Sequence, residues 1–445
     1  MDIEFDGVPA FIHCLTYTAL PETVRARALD LLLDTLAVAA SGATTPVSGI
    51  ARRHAVRHMG GNAARLMFDG RTASVGGACF ANATTIDSFD AHDGHVLTKG
   101  HMGVTVVPAI LAFAEATNRL DGHEALAALV MGYEVATRAG IALHTEAQDY
   151  HTSGAWNALA AAAIGARYLR LDPAHTREAV GIAEYHGPRS QMMRCIDAPT
   201  MVKDGSGWGA FAGATAALLA EDGFTGAPAI TIEGAGHAAL WGSLGQRWCI
   251  LEQYVKPYPV CRWAQAPMEA VMGLRAGHSF APEDVAEITV CTFDAAVRLG
   301  NRPVTTTEEA QYSTGFPLAA LLVRGRVCAA EIAGDGLTDL SIAAMQARIR
   351  VQEDAEATRM FPAARSAVVE LHLRDGRVLT SPRTFTRGDP DSPLDAAALA
   401  AKVDTLTEML PAARRDTVRE AVAGLAEGRS LHRLLDGVMA PCSDG

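Results

Sequence analysis

Lysine is almost missing from this chain of 445 residues: Lys99, Lys203, Lys256 and Lys402 are the only four among 38 Lys+Arg. The rest are arginine, the skew of a GC-rich genome. A lysine kept against that drift is a candidate for chemistry that guanidinium cannot supply, since only the compact ammonium has a pKa that burial can tune. Lys99, Lys203 and Lys256 stand out on that ground, while Lys402, in a polar helix, reads as solvated. No run of eighteen uncharged apolar residues occurs, which argues against a membrane span. The eight cysteines form no C-x-x-C pair, and the first residues carry Asp2, Glu4 and Asp6 where a signal peptide would be basic. A reducing, cytoplasmic setting is therefore expected. An excess of positive charge is lacking too: a net charge of −12 disfavours nucleic acid and anionic membranes, both of which demand a basic face.

What is present is apolar material for a large core. Hydrophobic residues make up 49% and charged residues 20%, with a mean hydropathy of +0.11, which excludes a disordered or fibrous chain. The length suggests two or three domains, or one large helical domain with a smaller insertion. Helical periodicity starts at Thr23-Val24 and stops at Ser41-Gly42. It returns over Pro108 to Ala116, Gly122 to Leu143, Ala155 to Leu169, Thr176 to Glu184 and Gly207 to Ala220. Alanine dominates these segments (Ala158, Ala160, Ala161, Ala162, Ala163), so the helices can approach closely in a buried bundle.

After Trp263 the pattern changes. Val285 to Phe293 is β-branched, Ala347 to Val351 alternates, and Ala367 to Thr380 reads as a hairpin turning at Asp375-Gly376. Thr307 to Val323 reads as helix between them. From Leu394 helices resume, and they can pack back on the first domain. The reading is mainly α, with an inserted α+β unit.

Polar chemistry concentrates at five places. Asp87 to His101 holds His92, His95 and His101 with Asp87, Asp90, Asp93 and Lys99. Tyr150-His151-Thr152-Ser153-Gly154 opens a helix, where backbone N–H groups favour an anion. Thr200 to Gly209, containing Lys203-Asp204-Gly205, is a glycine-rich lead into another helix. Tyr258 to Trp263 contains Cys261 and Arg262, and Gln311-Tyr312-Ser313 lies in the inserted unit. Carboxylates, imidazoles and an ammonium brought together shift one another's pKa toward neutrality, as acid–base catalysis requires. Two alternatives stay open for the first cluster: a structural loop, or a metal held by His92, Asp93 and His95. Cys261 lacks the surroundings of a nucleophile and reads as a packed thiol.

Taken in order, His101-Met102-Gly103-Val104-Thr105-Val106-Val107-Pro108-Ala109, Gly132 to Ala136, His151 to Gly154, Lys203-Asp204-Gly205 and Gly223-Phe224-Thr225-Gly226 resemble the MmgE/PrpD family over nearly the whole chain. That family includes 2-methylcitrate dehydratase, cis-aconitate decarboxylase and iminodisuccinate epimerase. The resemblance implies a large all-helical domain formed by both chain ends (residues 1–263 and 394–445), a smaller α+β lid domain (264–393), and a homodimer with no cofactor and no metal. The family's Asp-Phe-Asp-Asp-Thr loop falls on Asp90-Ala91-His92-Asp93-Gly94, its next histidine on His101, its helix-opening histidine on His151 and its lysine on Lys203. The lid's aromatic-Ser pair is similar to Tyr312-Ser313. Two departures stand out: Ala91-His92 and Gly94 within the loop, and Thr98-Lys99-Gly100 before His101.

The implied chemistry moves a proton at a carbon beside a carboxylate, a very weak acid that needs a base and stabilisation of the developing charge. The expected catalytic residues are His101, His151, Lys203, Asp90 and Tyr312. Arg262, Lys99, Asp93, His95 and Ser313 are the expected substrate-binding residues for a small anionic carboxylate. A dehydratase-type lyase on a di- or tricarboxylate is the leading expectation, a racemase, epimerase or decarboxylase the alternative. A non-catalytic carboxylate-binding dimer is the alternative of another class.

Overall fold

A computed structural model describes residues 5–442. Among them the chain is mainly α, with 22 α-helices and three small sheets. The long helices of the first half are Glu22–Gly42, Pro46–His58, Val75–Asp87, Gly103–Thr117, Gly122–Glu146, Gly154–Leu169, Pro173–His186 and Ser206–Glu221. Short polar side chains start several of them: Thr45, Ser74, Asp121 and Asp172 each accept from a backbone N–H of the first turn, a cap that contributes about 1 kcal/mol.

The alanine-rich faces do what their composition predicts. Gly154–Leu169 and Ser206–Glu221 cross so closely that a Cβ at Gly213 would lie 2.1 Å from the Ala158 carbonyl oxygen. Helix Gly122–Glu146 is long and apolar enough to cross a membrane by composition, but 94% of its apolar window is buried inside the protein. Its hydrophobicity serves the core. The Gly103–Thr117 helix starts five residues before the Pro108 expected to open it and carries that proline internally. Val104, Val106 and Val107 are all buried there, and that burial outweighs the roughly 3 kcal/mol a helix-interior proline costs.

In the second half, the main sheet has the order Ile349–Glu353, Val285–Thr292, Ser366–Leu373, Val378–Thr380, with Thr384–Phe385 also pairing with Ser366–Leu373. The first pair is parallel and the rest are antiparallel. All three expected strand regions are strands. The single helix expected over Thr307 to Val323 is instead two, Thr307–Gln311 and Gly315–Arg324. Pro317 sits in the first turn of the second, where its missing N–H costs nothing. The break leaves Tyr312, Ser313 and Thr314 between the helices.

The last helices contact the first. Ser41 Oγ donates to the Leu406 carbonyl at 2.7 Å, and Leu431 N donates to the Leu120 carbonyl at 2.8 Å. Lys402 is not solvated as its polar helix suggested: it is buried, its Nζ lies 2.6 Å from Asp34 Oδ1, and it donates to the Ala91 carbonyl at 2.8 Å. The neighbouring residues that made the helix look polar face outward; Lys402 faces in.

Candidate active site

The Val75–Asp87 helix ends at the first acidic residue of the His/Asp cluster, and the following chain folds inward. Asp87, Asp90, His92, Asp93, His95 and His101 are all buried. A two-stranded ladder, Gly94–His95 against Gln253–Tyr254, pins this segment and sets Gly94 opposite Tyr254. A Cβ at Gly94 would meet the Tyr254 hydroxyl at 2.4 Å, so the absence of a side chain at this position is what admits the tyrosine.

The backbone of His101 and its Nδ1 are each held by a hydrogen bond. Its backbone N–H donates to Ser153 Oγ at 3.0 Å and its carbonyl accepts from Asn157 Nδ2 at 2.6 Å. Nδ1 contacts the Asp93 carbonyl, which can only accept, so Nδ1 carries the proton and Nε2 is the free base of the neutral ring. Nε2 lies 3.3 Å from Asp204 Oδ2 and 4.0 Å from Asp90 Oδ1. Burial and the Lys256 ammonium lower the His101 pKa against the opposing pull of Asp204 and Asp90. The ring is therefore neutral at pH 7, yet carboxylates stand ready to stabilise its protonated form.

Asp90 is fixed by Lys256, whose Nζ lies 2.5 Å from Oδ1. Burial pushes its carboxyl up, but the Lys256 and Lys203 ammoniums outweigh that and hold it below the usual range. Gln311 ties the elements together: its Oε1 accepts from Asp90 N at 2.8 Å and from Lys203 Nζ at 2.7 Å. Lys203 also lies 4.7 Å above the Tyr312 ring. Lys203 and Lys99 both have left-handed backbone, at φ 46° and 53°, a conformation that costs a non-glycine residue roughly 1 kcal/mol and persists where the surroundings hold it. Asp87 and Asp204 are pushed up to about 6, mainly by burial.

These groups border a narrow cleft lined by Asp90, Lys99, His101, Lys256, Arg262 and Arg365, with Tyr254, Trp263, Tyr312, Met192 and Cys261 as its less polar wall. Cys261 is a packed thiol, as read from sequence: burial pushes it up to about 12.

Two family models match the chain in order, the MmgE/PrpD N-terminal domain over residues 8–243 and the MmgE/PrpD C-terminal domain over residues 258–427. The chain belongs to the MmgE/PrpD family. Among curated proteins it is similar to a cis-aconitate decarboxylase-like protein, oryM, of Aspergillus oryzae, with 28% identity over 46% of this chain and 44% of that protein. It is also similar to the cis-aconitate decarboxylase of Homo sapiens, with 28% identity over 71% of this chain and 69% of that protein. The match thus spans less than half the length of the fungal relative.

In this MmgE/PrpD chain, five of the ten expected site residues line the cleft: Asp90, His101, Tyr312, Lys99 and Arg262. Lys203 is not among the lining residues; its Nζ lies 4.7 Å from the centre of the ring of Tyr312, which is. His151 is not among the lining residues; its backbone N–H donates to His144 Nε2 at 3.1 Å and its ring stacks on that of His144 at 6.4 Å. Asp93 turns the other way, with Oδ1 accepting from Gly103 N at 3.3 Å. His95 Nε2 pairs with Glu252 at 3.1 Å, and Ser313 Oγ accepts from Phe316 N at 3.2 Å. Arg262 reaches the cleft, but its guanidinium is engaged by Asp389 at 2.7 Å and by the Arg387 carbonyl at 2.8 Å.

The trio His92, Asp93 and His95 does not converge. Among the described residues the compact set of potential metal ligands is Asp90, His92 and His101, within 4.8 Å of one another. The Lys256 ammonium already occupies the cation position on Asp90. His92 lies 4.1 Å from His101, ring to ring, and burial followed by the His101 and lysine charges holds its pKa well below normal. Sequence reasoning gave no role to Asp204, Gln311, Lys256 or Arg365. Rarity flagged Lys256; nothing marks Arg365 among so many arginines.

Proposed function

We propose that this chain is a lyase-type enzyme that moves a proton at a carbon beside a carboxylate of a small di- or tricarboxylate, using its own side chains. The observation that carries this reading is His101: a buried neutral imidazole, protonated on Nδ1, that lines a small cleft together with Lys99, Lys256, Arg262 and Arg365. Cations on the walls suit an anionic substrate and offset the charge that spreads into its carboxylate when the proton leaves.

In the dehydratase form, His101 Nε2 takes the carbon-bound proton and Asp204 and Asp90 stabilise the imidazolium. The electron pair of the broken C–H bond forms the double bond as the neighbouring C–O bond breaks. Tyr312 protonates the departing hydroxide, releasing water. Its pKa stands well above normal, first through burial and then through nearby acids, so it holds its proton until a strong base forms beside it. Lys203, over the same ring, restores the charge balance. His151 takes no part in this step.

Similarity to a cis-aconitate decarboxylase and to a cis-aconitate decarboxylase-like protein favours a decarboxylase as the second reading, in which carbon dioxide leaves and a proton is delivered to the carbon. Because Tyr312 and Arg365 come from the α+β unit and Asp90, His101 and Lys203 from the helical part, that unit is proposed to close over the cleft as a lid. A homodimer, which sedimentation tests, completes the proposal.

Incubation with a panel of di- and tricarboxylates in deuterated water, followed by NMR, tests the activity. Loss of water identifies a dehydratase, loss of carbon dioxide a decarboxylase, and deuterium exchange without net product an epimerase. Inertness toward every member refutes the reading in favour of a non-catalytic binder.

A further inference from the structure

Two cations at the cleft pair with no anion among the described residues. Arg365 is 5% exposed, and among the described residues it pairs with no carboxylate. Its Nε has no hydrogen-bond partner, and its one polar contact of note is a long one, Nη2 donating to the Val96 carbonyl at 3.4 Å. The acid whose charge offsets it, Asp389, is held by Arg262 at 2.7 Å. The Tyr254 and Phe361 rings flank the guanidinium, each centroid 5.9 Å away. Lys99 also pairs with no carboxylate among the described residues, and its Nζ sits 3.6 Å above the Tyr150 ring. Arg365 and Lys99 both line the cleft that His101 borders.

A guanidinium is rarely taken out of water without a counter-charge, because the desolvation cost has nothing to offset it. Here the missing partner faces a cavity. Planar, forked and always charged, the group matches a carboxylate through two parallel hydrogen bonds. The aromatic walls exclude water from it and orient it, which strengthens such a pair. Of the other cations, Lys256 pairs with Asp90 and Arg262 with Asp389, while Lys203, outside the lining, donates to the Gln311 amide oxygen and acts on the Asp87 and Asp90 carboxyls.

We infer that Arg365, assisted by Lys99, forms a carboxylate subsite apart from the reacting end at His101, and that it selects substrates carrying a second carboxylate. Arg365 is a specificity-determining residue in this account, with no part in moving the proton. The inference rests on the proposed carboxylate chemistry of the same cleft. Burial and the neighbouring Arg365 charge bring Lys99 down to about 8, which agrees with two cations left close together until an anion arrives.

The test compares binding of succinate with that of succinamate, its monoamide, by calorimetry on the full chain, with wild type, Arg365→Met, Arg365→Lys and Lys203→Met. Wild type is expected to favour succinate by tenfold or more, and Arg365→Met to bring that ratio close to one. Arg365→Lys, which keeps the charge without the fork, should lose at least a fewfold of the discrimination. Without ligand, Arg365→Met should melt no lower than wild type, since it removes a buried cation that pairs with no carboxylate among the described residues; at one fixed succinate concentration the melting temperature of wild type should rise more than that of this variant. If Arg365→Met does not fold, Arg365→Lys decides, and full discrimination in that variant overturns the subsite. An unchanged ratio in Arg365→Met, with Lys203→Met weakening both ligands, overturns the subsite and leaves the proposed chemistry standing. No measurable binding of either ligand to wild type counts against both.

Discussion

Replacing Lys99 by methionine separates a substrate-binding lysine from a structural one. The side chain is half-buried, rests on Tyr150 and has no acidic partner among the described residues; Asp93, the acid nearest in sequence, is turned toward Gly103. Losing the contact with Tyr150 costs the fold about 0.5–1 kcal/mol, so the melting temperature should move by only a few degrees. A charge-assisted hydrogen bond to a substrate carboxylate contributes about 1.5–3 kcal/mol, which predicts a KM raised roughly 10- to 150-fold with kcat little changed. The pH profile sharpens the prediction. Since burial and Arg365 bring Lys99 down to about 8, free enzyme loses this charge as pH rises through 8, and wild-type KM should climb about fivefold between pH 8 and 9. Lys99→Met should show a high KM that is flat over that range. Lys99→Arg, charged throughout, should show a low KM that is equally flat. The assay is steady-state kinetics from pH 6 to 9.5 with whichever carboxylate turns over in the deuterium screen. An unchanged KM in Lys99→Met, or an alkaline rise that persists in Lys99→Arg, refutes the reasoning.

His101→Gln should lower turnover by about a hundredfold or more, and wild-type kcat/KM should fall on acidification as the ring, whose pKa lies below the usual 6.5, gains a proton; near-normal rates in the variant remove it as the base. Lys203→Ala is expected to cost a comparable factor while circular dichroism stays unchanged. Lys402→Met strands a buried carboxylate and should destabilise the protein by about 3 kcal/mol at pH 8. Burial raises the Asp34 pKa against the pull of Lys402, so its proton is held more tightly folded than unfolded and the cost of ionising it grows as pH rises. The loss should therefore be smaller at pH 5, and equal losses at both pH values would contradict this account. Treatment with a strong chelator should leave turnover intact, and stoichiometric zinc with chelator-sensitive activity would instead put a metal at Asp90, His92 and His101.

Several features were determined by the sequence alone because they are local or compositional. Alanine-rich periodicity specifies close-packed helices, β-branched runs after Trp263 specify strands, and Asp375-Gly376 turns the hairpin, each through contacts within a few residues. The scarcity of lysine marked Lys99, Lys203 and Lys256, and the order of motifs carried the family. Only tertiary structure decided what those residues face. Lys402 looks solvated from its neighbours yet pairs with Asp34 from a helix more than 350 residues earlier. Arg262 and Arg365 are indistinguishable as letters, and their difference lies in whether Asp389 reaches one or the other. His95 and Asp93 sit in the same cluster as His101 but turn toward Glu252 and Gly103, because a ladder and a helix start fix the backbone between them. Charge compensation is a property of long-range contacts, and no pattern along the chain encodes which buried cation is left without an anion.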